Sequence, residues 1–139
     1  MTVTLPPSYR PSLKEDFMNP FQQEYFRQKL LSWKNELLKE GEGTLESLKD
    51  TVLVESDATD RASSETDRSI ELRTGDRARK LIAKIDSALN RIDLGTYGYC
   101  QESDEPISLK RLEARPIATL SLEAQERHER MEKTYSKSE

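Results

Sequence analysis

The 139-residue sequence has one cysteine, Cys100, and one histidine, His128. A lone cysteine cannot close an internal disulfide, and a reducing, cytoplasmic setting is expected. The same scarcity removes Cys/His and Ser/His/Asp arrangements, and no glycine-rich phosphate loop is present, so no enzyme is expected. No apolar run approaches the ~20 residues of a membrane span. The opening "MTVTLPPSYRPSLKEDF" lacks the apolar core of a signal peptide. Aromatic residues make up 6% and the net charge is only −4. Neither a basic footprint nor an aromatic stripe for direct, sequence-specific DNA binding is available.

What is there is charge. Charged residues reach 35% and apolar residues 34%, against roughly 45–50% apolar in ordinary domains. A large compact core is excluded; long solvated helices with a narrow apolar seam suit these numbers. Residues 1–18 carry three of the six prolines and read as an extended arm anchored by Tyr9, Leu13 and Phe17. Asn19-Pro20 is a helix start, Asn as cap and Pro at the first helical position. Phe26, Leu30, Trp33 and Leu37 then follow a 4-3-4 spacing, interrupted by Gly41 and Gly43 and resumed at Leu45, Leu48 and Val52. This helix is expected to end near Val54. Residues 55–69 hold no large apolar side chain and cannot join a seam. A second stripe, Ala78, Leu81, Ile85, Ala88 and Ile92, is widened by Ile82 and Leu89 and extended backwards by Ile70 and Leu72, with Gly95 as the stop.

Two narrow stripes separated by a polar segment predict an antiparallel helical hairpin, each arm ~50 Å long at ~1.5 Å per residue. The expected fold is all-α dominated: an N-terminal arm (1–18), a coiled-coil hairpin (19–95) with its tip near 55–63, a small base containing a finger-like segment (96–115), and a C-terminal helix and tail (116–139) that begins near Pro116.

By composition the tip is a solvated turn; its alternative is a probe, with the carboxylates of Asp57 and Asp60 and the methyl of Ala62 at the end of a rod. Arg73, Arg77, Arg79, Lys80 and Lys84 read as an exposed face supported by Asp76–Lys80, or as a docking face for an acidic partner or phosphorylated ligand.

The segments "DATDRAS", "ELRTGDRARKLIAKID", "YGYC" and "LKRLEARPIATL" resemble the DksA/TraR family of RNA-polymerase-binding transcription factors, in one register from about Phe21 to Glu129. The resemblance implies a monomeric factor that enters the secondary channel of RNA polymerase. It implies changed promoter-complex lifetimes together with ppGpp, repressing ribosomal RNA promoters and activating others in the stringent response. The family's tip motif falls on Asp57, Asp60 and Ala62, its ppGpp-binding positions on Leu81, Lys84 and Arg115, and a further polymerase contact on Arg77. A usually basic ppGpp position is Gln125 here. Two alternatives differ in class: a channel-entering elongation or transcript-cleavage factor, and a helical adaptor without polymerase activity.

The family's four-cysteine zinc positions fall on Cys100, Ser103, Ser121 and Ala124. Serine is a poor zinc ligand and alanine is none, whereas a structural site takes four N or S donors. Asp104 replaces the glycine of the knuckle turn, so that turn is not specified. A rebuilt site from Cys100, Asp104, Glu123 and His128 is disfavoured. The base is therefore expected to hold no zinc and no other tightly bound cofactor. Tyr97, Tyr99, Ile107, Leu109, Leu112, Ile117, Leu120 and Leu122 are expected to pack it, with hydrogen bonds from Ser103 and Ser121 where the metal would be.

Overall fold

The structure, a computed structural model, describes residues 3–54 and 58–137, with side chains described for 3–41, 66, 68–70 and 72–134. Four helices follow one another: α1 (Pro20–Val54), α2 (Ala58–Leu94), α3 (Leu109–Ala114) and α4 (Leu122–Lys137). Among the described residues the sole β pairing is an isolated antiparallel bridge between Tyr99 and Pro106. No helix among them is long and apolar enough to cross a membrane.

Five of these boundaries have a local cause. Asn19 Oδ1 accepts the backbone N–H groups of Phe21 and Gln22 at 2.9 and 3.0 Å, as a cap should. Gly95, at φ 78°, ends α2 in the left-handed region, its N–H donating to the Ile92 carbonyl. Ser108 caps α3 through its hydroxyl, 3.2 Å from the Arg111 nitrogen. That helix stops at Ala114 because Arg115 precedes a proline and is driven to an extended conformation (φ −141°, ψ 85°). The C-terminal helix therefore does not begin near Pro116. Residues 116–117 form a turn and 118–121 irregular chain, and α4 starts after its cap, Ser121, whose hydroxyl accepts the Ala124 N–H at 3.2 Å.

The chain divides into two compact units. In Leu31–Asp86, parts of α1 and α2 run antiparallel. Leu37 and Ile85 are buried there, and Lys34 Nζ lies 2.7 Å from an Asp86 carboxylate oxygen. Ile70 and Leu72, expected to extend the second stripe, are exposed. Asp76 pairs with Arg79, both exposed, rather than with Lys80.

The other unit combines Met1–Leu30 with Ser87–Glu139. Its core holds Phe26, Leu30, Ala88, Ile92, Tyr97, Ile107, Leu112 and Ile117, with the Phe26 and Tyr97 rings 5.6 Å apart. The arm is folded onto it. The Tyr9 ring packs near Phe21 and Tyr25, and the Phe17 ring meets Tyr99 edge-on at 5.3 Å. Met18 is buried. Leu13, expected as an anchor, is 90% exposed. Gln22 is buried with both ends of its amide satisfied, accepting from the Met18 N–H at 2.8 Å and donating to the Ser12 carbonyl.

Candidate functional site

The finger-like segment is a short hairpin. Ile107 N donates to the Gly98 carbonyl and Cys100 N to that of Glu105, each at 2.8 Å. The turn between them closes where Asp104, at φ 61°, donates its N–H to the Cys100 carbonyl at 2.8 Å. The knuckle turn thus forms without its glycine, because aspartate is among the few side chains that tolerate the left-handed region. Gln101 N then reaches the Thr119 carbonyl at 2.8 Å, joining this hairpin to the approach of α4.

Two of the other degenerate zinc positions, Ser103 and Ser121, act on the thiol of Cys100, which is fully buried. Burial pushes the thiol up. The Ser103 hydroxyl and the backbone N–H groups of Ser121, Ser103 and Glu102 outweigh it and bring the pKa down to about 6. Ala124, the fourth position, is also buried. His128 is occupied elsewhere, its Nε2 2.8 Å from Glu102. No cluster of three or more His, Cys, Asp or Glu able to hold a metal exists among the described residues. One sulfur with hydroxyl and backbone N–H neighbours is not the donor set of a structural zinc, and the residues do not fit that ion.

Of the expected packing residues, Tyr97, Ile107, Leu109, Leu112 and Ile117 are buried; Tyr99 is 37% and Leu122 58% exposed. The Tyr97 hydroxyl donates to the Pro116 carbonyl at 2.7 Å, and burial raises the phenol far above its ordinary value. Arg111 Nε donates to the Leu120 carbonyl at 2.9 Å. These bonds hold the 115–121 loop to the hairpin root.

Arg115 is exposed on this loop. Lys84 and Arg77 are exposed and Leu81 half-buried on α2, in the other unit. Gln125 donates to Glu129 on α4 at 3.3 Å. Asp57 lies outside the described residues. Asp60 and Ala62 fall in the first two turns of α2, their side chains likewise outside the description.

A polar cluster beside Arg115 was not anticipated from the sequence. Lys29 Nζ on α1 lies 2.8 Å from Glu113 on α3. The Tyr25 hydroxyl stands near the same carboxylate, and burial together with that carboxylate pushes Tyr25 up to about 12. No local spacing reveals a pair 84 positions apart.

Helical hairpin arms, a capped finger-like hairpin without a metal donor set and an exposed arginine after it define a class: zinc-finger-type helical hairpin proteins whose finger is degenerate. Comparison with known proteins narrows this. Residues 22–92 match the DnaK suppressor protein DksA, N-terminal domain, and residues 95–130 match the prokaryotic dksA/traR C4-type zinc finger. The RNA polymerase-binding transcription factor DksA of Caulobacter vibrioides is 61% identical over 127 residues, covering 91% of this chain and 89% of its own. The protein of that name from Escherichia coli K12 is 38% identical over 115 residues, covering 83% and 76%. The structure of transcription factor DksA2 from Pseudomonas aeruginosa superposes with a TM-score of 0.79 at 46% identity, covering 84% of this chain and 90% of the other. The chain belongs to the DksA/TraR family.

Proposed function

We propose that the chain is an RNA-polymerase-binding transcription regulator of the cytoplasm that acts through the secondary channel and changes promoter-complex lifetime together with ppGpp. The observation that carries this is the similarity to a relative named for polymerase binding, 61% identical over 127 residues and across 91% of the chain. In this reading Asp57, Asp60 and Ala62 form the tip that approaches the polymerase's catalytic centre without doing chemistry. Leu81, Lys84 and Arg115 face ppGpp, and Arg77 contacts polymerase. A lysine and an arginine suit a phosphate cluster, one a compact point charge and the other a planar bidentate donor. Gln125 lacks charge, so its share of the coupling is small.

The base in this reading folds without zinc, which in small metal-folded domains contributes on the order of 10 kcal/mol. Buried Tyr97 and Ile107, and the arm residue Met18, support the alternative of packing in place of metal. A chelator then leaves helicity unchanged, and metal analysis finds no stoichiometric zinc; loss of structure on chelation contradicts this part.

The test of function is promoter-complex lifetime on a ribosomal RNA promoter, with and without ppGpp. A shortened lifetime, deepened by ppGpp, is expected. Asp60→Asn should abolish the effect while leaving polymerase binding largely intact. An unchanged lifetime with the wild-type chain refutes the reading.

A further inference from the structure

Arg115 is exposed, yet its backbone is fixed on every side. Its N–H donates to the Arg111 carbonyl at 2.8 Å, and its carbonyl accepts the Ala118 N–H at 3.0 Å. The next residue, Pro116, is tied by the buried Tyr97 hydroxyl. Two residues upstream, Glu113 is tied across to α1 by Lys29, with Tyr25 beside the pair. Lys29 Nζ also stands 5.9 Å from the Tyr25 ring centroid, so the three groups brace one another. Among the described residues no carboxylate forms an ion pair with Arg115 itself. Its guanidinium is left for an anion from outside, while its neighbour's carboxylate is taken by α1.

We propose that Glu113, gripped by Lys29 beside Tyr25, is a positioning residue that fixes where Arg115 meets the phosphates of a guanosine polyphosphate. The inference rests on the reading of Arg115 as a phosphate-binding residue. Bidentate guanidinium–phosphate recognition is directional, so freeing α3 from α1 costs affinity even though no phosphate contact is removed. Charge alone makes a different prediction. Glu113 is a negative group two residues from Arg115, and removing it should tighten binding of a polyanion. Lys29 is positive, and removing it should weaken binding. Electrostatics moves the two variants in opposite directions; positioning moves them in the same direction.

The experiment measures the ppGpp concentration that half-saturates the complex of the full chain with RNA polymerase. Glu113→Gln, Lys29→Met, their double and Arg115→Ala are compared with wild type, and near-ultraviolet circular dichroism confirms that each is folded. Both single variants should raise the half-saturating concentration about 1.5- to fivefold, the range of a partly exposed ion pair. The double should be no worse than either single, and polymerase binding without ppGpp should be unchanged. An unchanged or lower value for Glu113→Gln, with Arg115→Ala still raising it, overturns the positioning role and leaves the Arg115 reading standing. No effect of Arg115→Ala removes that reading and the inference with it.

Discussion

Gly98 is the position at which the arm and the finger-like hairpin are pressed together, and adding one methyl there tests that contact. Gly98 sits at φ 92°. A Cβ built on it would stand 3.0, 3.1 and 3.2 Å from the Cγ, Cε and Sδ atoms of Met18. Gly98→Ala meets two costs. A residue with a Cβ in left-handed backbone costs about 1–2 kcal/mol, and crowding a packed side chain costs about 1–3 kcal/mol. The sum, about 2–5 kcal/mol, is a large part of the ~5–15 kcal/mol available to a folded domain. Met18→Ala alone removes a buried side chain and should cost about 2 kcal/mol or more. The double variant separates the two costs of the glycine change. Shortening Met18 removes the crowding and leaves the backbone strain, so the pair should fall short of the sum of singles by the crowding cost, about 1–3 kcal/mol. Urea denaturation followed by circular dichroism gives the midpoints, provided the slope is unchanged. Additivity within about 0.5 kcal/mol would refute the claim that Met18 lies over Gly98, and a silent Gly98→Ala would refute the strain as well.

Tyr97→Phe deletes the hydroxyl that donates to the buried Pro116 carbonyl and should cost about 1–3 kcal/mol through the acceptor left unpaired in the interior, read as a lowered urea midpoint. The Glu113 carboxyl is held below its ordinary value of 4.5: burial opposes this, but Lys29 and Tyr25 outweigh it. Its stabilising effect is therefore complete above that value and disappears as pH falls through the lower, folded one. The stability gap between wild type and Glu113→Gln should close in acid, and a gap that persists unchanged there contradicts the pairing. Gly41 lies inside α1 with no atom within 4 Å of an added Cβ; Gly41→Ala should raise stability by about 0.5–1 kcal/mol, measured as a higher midpoint.

The two long helices were legible because helices of this kind advertise their buried face at a fixed period: Phe26, Leu30 and Leu37 on one, Ile85, Ala88 and Ile92 on the other, are all buried. Gly95 was legible as an end for a local chemical reason, the left-handed backbone that glycine accepts. The base was only half legible. Its apolar core could be named, but Met18 and Gln22 are buried by contacts that no period encodes. The stretch from Pro116 reads as helix by composition, whereas the conformation forced on Arg115 and the Ser121 cap delay it to Leu122. Asp104 was not legible: the sequence left its turn unspecified, and the turn forms at a φ few side chains accept. At the candidate site, Arg115 came from family resemblance, while its bracing by Lys29 and Glu113 needed the fold, since those residues are 84 positions apart.

The contact between Met18 and Gly98 also sets an order in time. During synthesis Met18 is joined to the chain 80 positions before Gly98. At about 5–20 residues per second the arm waits roughly 4–16 s for its partner. The finger-like hairpin, whose bonds join near neighbours such as Cys100 and Glu105, can close as soon as it emerges. The first piece of the chain to be made is thus among the last to find its place.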